Sequence, residues 1–100
     1  MITKEQARAL VASEILASSG NLREGDEWIV LDASTIEKPW GWVFFYTSRK
    51  WHETLDFEYA VAGNAPFIVE RETGALVMTG TAMSIETYID NYERTGKPHG

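Results

Sequence analysis

The sequence predicts an α+β fold, with an antiparallel sheet of about four strands and an N-terminal and a C-terminal helix packed on it. Three observations carry this expectation. A capping pattern opens a helical stretch at the N-terminus, apolar runs of strand length separated by turn residues fill the middle, and an amphipathic helical stretch closes the chain. At 100 residues the chain suits one compact domain over 1–95, with 96–100 expected as a flexible tail.

Thr3 followed by Gln6 matches a capping box, in which the hydroxyl takes an orphan helix N–H and the Gln side chain reaches back. Ala7, Leu10, Val11, Glu14, Ile15 and Ser18 then recur at helical spacing and form a mostly apolar stripe, with Gly20 and Asn21 as the stop. Trp28 to Ile36 reads as one strand interrupted on one face by Asp32 and Ser34. Lys38-Pro39-Trp40-Gly41 has turn chemistry, so a hairpin is expected to join Trp28–Glu37 to Trp42–Ser48. Alternation then places Trp42, Phe44 and Tyr46 on one face and Val43, Phe45 and Thr47 on the other. Both sets are apolar, which marks a central strand covered on both sides.

Residues 49–64, RKWHETLDFEYAVAGN, do not keep a period of two and read as a loop with a short helical turn around Asp56 to Ala62. Gly63 to Pro66 breaks the chain, and Phe67 to Glu70 and Ala75 to Thr79 read as strands joined by a tight turn at Glu72-Thr73-Gly74. Ser84 is an N-cap, and Ile85, Tyr88, Ile89 and Tyr92 line one face of a closing helix that ends at Thr95-Gly96-Lys97-Pro98.

Composition limits the function. Net charge is -6, with nine Lys and Arg against fifteen Asp and Glu, so a phosphate backbone is repelled and nucleic-acid binding is not expected. A basic protein partner suits this surface better. Absence of cysteine removes disulfides and thiol chemistry. The N-terminus lacks a signal-peptide core and no apolar run is long enough for a bilayer, so no membrane association and a cytoplasmic location are the default expectations.

Chemistry is thinly provided for. The two histidines are His52 and His99, and HExxD at 52–56 lacks the second histidine of the helical zinc motif. His52, Glu53 and Asp56 could still make a mixed site, giving a small hydrolase or metal-dependent enzyme as the weakest alternative. A solvated loop face is the simpler reading of Glu53, Asp56 and Glu58, with no enzyme and no cofactor or metal.

The four tryptophans all fall between residues 28 and 51. Trp40 sits in a turn, where burial is hard to arrange, next to Glu37, and an exposed tryptophan is a typical binding anchor. Trp51 and Tyr59 flank the acidic segment containing Glu53, Asp56 and Glu58, giving a second candidate surface with an aromatic centre and an acidic rim. Loop aromatics can equally tuck under their own loop, and exposed aromatics can equally serve a homodimer.

The pieces MITKEQA, VLDASTIEKPWGWVFFYTSRKW, AVAGNAPFIVERETGAL and TGTAMSIETYIDNYE, in this order, resemble the immunity protein 35 family, also called the YrhB domain, of bacterial polymorphic toxin systems. The resemblance covers nearly the whole chain. It implies an α+β protein that binds and neutralises a cognate toxin by stoichiometric protein binding, without chemistry of its own. It marks Glu37, Gly41, Trp42, Phe44, Tyr46, Gly63, Asn64, Pro66 and Gly80 without giving which touch a toxin, and all of these but Glu37 are expected to be mostly structural, while Pro39-Trp40 is less typical of the family. A general peptide-binding or chaperone-like module using the same aromatics is the alternative.

Overall fold

Gly41–Phe44 is the strand around which the chain is arranged, with all four residues buried. The computed structural model describes residues 1–18, 22, 25–59 and 64–100. Their order is α1 (Lys4–Ser18), β1 (Trp28–Val30), β2 (Ile36–Lys38), β3 (Gly41–Phe44), β4 (Tyr46–Ser48), α2 (Arg49–Thr54), β5 (Phe67–Glu70), β6 (Leu76–Met78) and α3 (Ile85–Thr95). β2-β3-β5-β6 form a four-stranded antiparallel sheet, and β1 pairs with β4 in a two-stranded one. The architecture is α+β, with helices at both ends of the chain as the sequence predicts. The expected helix stop at Gly20-Asn21 and the position Gly63 lie outside the described residues.

Alternation along β3 and β5 builds two cores on one sheet. Trp42, Phe44, Phe67 and Val69 face Ala7, Val11 and Ile15 of α1, with Tyr46, Trp28 and Leu76 packed at the margin. Val43 and Ile68 face Ile89 and Tyr92 of α3, with Ile36, Phe45 and Trp40 beside them. Each large side chain so covered contributes roughly 1.5–3 kcal/mol of burial free energy. The stripe of α1 is narrower than expected: Glu14 is exposed and Leu10 is 40% exposed, because only the Ala7, Val11 and Ile15 row points at the sheet.

The caps follow the local chemistry. Thr3 Oγ1 accepts the Gln6 N–H at 3.1 Å, and Gln6 Oε1 accepts the Thr3 N–H at 2.9 Å. Ser84 Oγ accepts the Thr87 N–H at 3.3 Å to start α3, and Gly96, at φ 79°, ends it by donating to Tyr92 O at 2.8 Å. Within 96–100, expected as a flexible tail, Pro98 and His99 lie against the body. Pro98 is buried, its carbonyl accepts from Asn91 Nδ2 at 3.0 Å, and the His99 ring meets Tyr88 edge-on at 5.5 Å.

Two expectations about elements are corrected. Trp28 to Ile36 is not one strand, because Asp32–Ser34 form a 3-10 turn that separates β1 from β2. The long hairpin therefore has two registers, Val30 opposite Tyr46 and Ile36 opposite Val43, with Leu31 N–H bonded to Phe45 O at 2.8 Å where they meet. Asp, Ala and Ser have little strand preference, and the Asp32 carboxylate is held by Arg8 of α1 at 2.6 Å. Residues 49–54, read as loop, form α2, and the second turn at Phe57–Tyr59 is a 3-10 turn. Helix α2 is too short for periodicity to reveal; its caps specify it instead.

Gly41 is fixed by packing. A Cβ there would stand 2.0 Å from Val69 O of the neighbouring strand. Gly41→Ala is expected to destabilise the protein by about 3 kcal/mol, since the strand pairing must open to admit a methyl group. Urea denaturation followed by tryptophan fluorescence checks this, and an unchanged midpoint would contradict it.

Candidate partner-binding surface

Helix α2 and the turn that follows it carry most of the sequence-predicted surface, and a closed set of hydrogen bonds fixes the start of α2. The N-terminal amides of a helix have no partner within it. Here Glu27 O accepts from Arg49 N–H at 2.8 Å, Asp26 Oδ1 from Lys50 N–H at 3.0 Å, and Ser48 Oγ from Trp51 N–H at 3.1 Å. Ser48, fully buried, donates its own hydroxyl to the other Asp26 oxygen, and Asp26 Oδ1 also accepts the Glu27 N–H at 2.8 Å. Burial pushes the Asp26 carboxyl upward. The bonds from Ser48, Lys50 and Glu27, helped by the nearby Arg49 charge, outweigh this and leave it below the usual carboxylate range.

The end of α2 turns outward. Leu55 caps it at φ 55° and ψ 26°, donating its N–H to Trp51 O at 2.8 Å. Thr54 Oγ1 accepts the Asp56 N–H at 3.1 Å, and Asp56 Oδ1 accepts the Glu58 N–H at 3.0 Å, so the following 3-10 turn is held by its own side chains. This leaves Leu55 67% and Phe57 85% exposed. Trp51 is half-buried and supports the Phe57 ring at 5.6 Å. Tyr59 is half-buried with Lys50 Nζ 5.3 Å from its ring centre. Glu53, Asp56 and Glu58 are exposed around them, with Glu53 paired to Arg49 at 2.9 Å.

Leu55 and Phe57 were not singled out by the sequence, although both lie inside the predicted segment. The signal was present in a weak form: two large apolar residues with no periodic partners, separated by one carboxylate and followed by another. Once α2 is placed, Trp51 turns inward and these two take the exposed positions.

Glu37 and Trp40, the other candidates, lie at a different end of the sheet and are tied to the fold. Trp40 is half-buried rather than exposed. Its ring meets Tyr92 at 4.9 Å, and its Nε1 donates to Glu93 Oε2 at 3.0 Å, so the turn folds down onto α3. Arg71 fixes the same turn from the other side. It donates to Pro39 O at 3.3 Å and Lys38 O at 3.1 Å, pairs with Glu37 at 3.4 Å, and lies 4.4 Å over the Trp42 ring. Beside them the Tyr92 hydroxyl donates to Glu70 at 2.5 Å; burial, and then that bond, raise its pKa far above the usual phenol range.

The family-pattern positions sit in the frame. Trp42 and Phe44 are buried in β3, and Tyr46 stacks on Phe67 at 5.8 Å. Asn64 Nδ2 donates to Tyr46 O at 2.9 Å, and Pro66 O accepts from both Thr79 N–H and Thr79 Oγ1. A Cβ on Gly80 would meet the Tyr88 hydroxyl at 2.5 Å. Among the described residues no group of three His, Cys, Asp or Glu side chains could hold a metal ion, so His52, Glu53 and Asp56 do not converge. Nor is any described helix long and apolar enough to cross a membrane.

Comparison with known proteins adds a family. Residues 6–93 match the family described as immunity protein 35. Over 53 residues, 53% of this chain, the sequence is 42% identical to the Escherichia coli K12 protein described as uncharacterized protein YrhB. The chain spans only 56% of the length of that curated relative. No solved structure matches.

Removing the Asp26 carboxylate leaves the Lys50 amide and the Ser48 hydroxyl without their acceptor, so Asp26→Ala is expected to cost about 1–2 kcal/mol at neutral pH. Because the folded-state pKa of Asp26 is depressed, its contribution is complete above the unfolded carboxylate pKa of about 4 and is lost as pH falls through the lower folded value. The stability gap between wild type and Asp26→Ala should therefore be constant above about pH 5 and close below about pH 4. Urea midpoints measured across this range check it.

Proposed function

This chain belongs to the immunity protein 35 family, and from that premise we propose that it binds a cognate bacterial toxin domain and neutralises it as a stoichiometric complex, without chemistry of its own. The observation that carries the reading is the family match over residues 6–93, which runs from the first turn of α1 to the last turn of α3 and so takes in every described element.

Surface chemistry supports the same reading. A net charge of -6 favours encounter with a basic protein surface, because long-range attraction raises the association rate and disfavours acidic competitors. The segment 51–59 supplies the local form of that preference, with apolar side chains surrounded by Glu53, Asp56 and Glu58. Inhibition by binding needs only a surface placed over the toxin's active site or its substrate path. The place of action is the cytoplasm, where a toxin entering or made in the cell meets its target.

Co-expression tests the function. Cells expressing the toxin encoded beside this gene are expected to regain colony formation when this protein is supplied, and the two proteins are expected to co-elute as a 1:1 complex. A neighbouring toxin whose lethality is never relieved would contradict the proposal. Similar affinity for many unrelated unfolded chains would point instead to a general chaperone-like module.

A further inference from the structure

We infer that Leu55 and Phe57 form the apolar anchor of the toxin-docking surface, and that the partner receives them in an apolar pocket surrounded by basic side chains. The identity of the partner rests on the immunity reading above; the location of the anchor rests on the following geometry.

Leu55 is the one non-glycine residue at positive φ among the described residues. It stands at the C-terminal end of α2, a position where glycine takes the left-handed conformation without steric cost. The same chain uses glycine at the equivalent place in α3, where Gly96 makes the matching bond to Tyr92 O. At α2 a leucine carries the conformational cost, and with its side chain 67% exposed, burial within the protein returns little of it. Backbone strain retained where the fold gains little from it is a pointer to function.

Phe57 makes the second half of the anchor. At 85% it is the most exposed large apolar side chain among the described residues. Trp51 holds its ring from beneath at 5.6 Å, so the aromatic face is presented by a supported side chain rather than a loose one. A buried aromatic centre inside a polar rim is the form that binding hot spots take.

The rim selects the partner. Asp56 and Glu58 flank Phe57 in sequence and are both exposed, with Glu53 one turn away. A second copy of this chain, docking by twofold symmetry, would bring Asp56 and Glu58 toward their own counterparts, a like-charge approach that opposes pairing. A basic rim around an apolar pocket satisfies both the charge and the exposed side chains.

Binding of the toxin encoded beside this gene, purified in a catalytically inactivated form, tests the inference with three variants. Leu55→Gly should keep or raise the melting temperature while weakening binding roughly 30-fold or more, and Phe57→Ser should do the same with unchanged melting temperature. Asp56→Asn should lower the association rate and reduce its dependence on salt. Wild-type affinity in both apolar variants would overturn the anchor and leave the immunity reading standing. Failure of the wild-type protein to bind would overturn both. A concentration-dependent wild-type dimer that Phe57→Ser converts to monomer, with toxin binding intact, would assign the surface to a second copy and overturn the inference.

Discussion

Burial of β3 on both faces is the constraint on which the rest of the structure depends. A strand whose successive side chains are Trp42, Val43 and Phe44, each at most 1% exposed, needs cover on both sides. Helix α1 supplies one cover and α3 the other, which is why the two ends of the chain must both be helical and both dock on the same sheet. Pairing of β3 with β2 and β5 then leaves so little space that Gly41 admits no side chain. Even the turn leading into β3 is drawn into this frame, through Arg71 on one side and Trp40 on the other.

Those demands explain where function is free to reside. Side chains committed to the two cores, or to fastening the turn, are poorly available to a partner. Segment 49–59 makes few demands on the cores; it is attached through the Asp26 and Ser48 bonds at one end and held by local bonds at the other. A short helix so attached can present Leu55 and Phe57 outward without disturbing β3. A peripheral element with its own caps separates the demands of a stable frame from those of a variable surface.

How much of this was legible in the sequence varied with the physical signal. The capping box at Thr3, the N-cap at Ser84 and the two-sided alternation from Trp42 to Tyr46 are local patterns, and the structure follows them. The break at Asp32–Ser34 was visible only as polar residues on one face, since a three-residue insertion depends on Arg8 and Phe45, which are distant in sequence. Helix α2 was missed because its start is specified by Asp26 and Glu27, more than twenty residues earlier. The tryptophans at the two candidate surfaces are each half-buried against an aromatic partner. Trp40 found Tyr92 and Glu93 across the fold, and Trp51 turned beneath Phe57.

Amide hydrogen exchange of the protein alone and mixed with the toxin proposed as its partner tests whether the two-faced sheet carries its partner-binding surface on segment 51–59. Slow exchange is expected throughout β3 and β5 in both states, with protection gained on binding concentrated in residues 51–59. Protection gained instead at Glu37 to Trp40, with 51–59 exchanging as in the free protein, would contradict it.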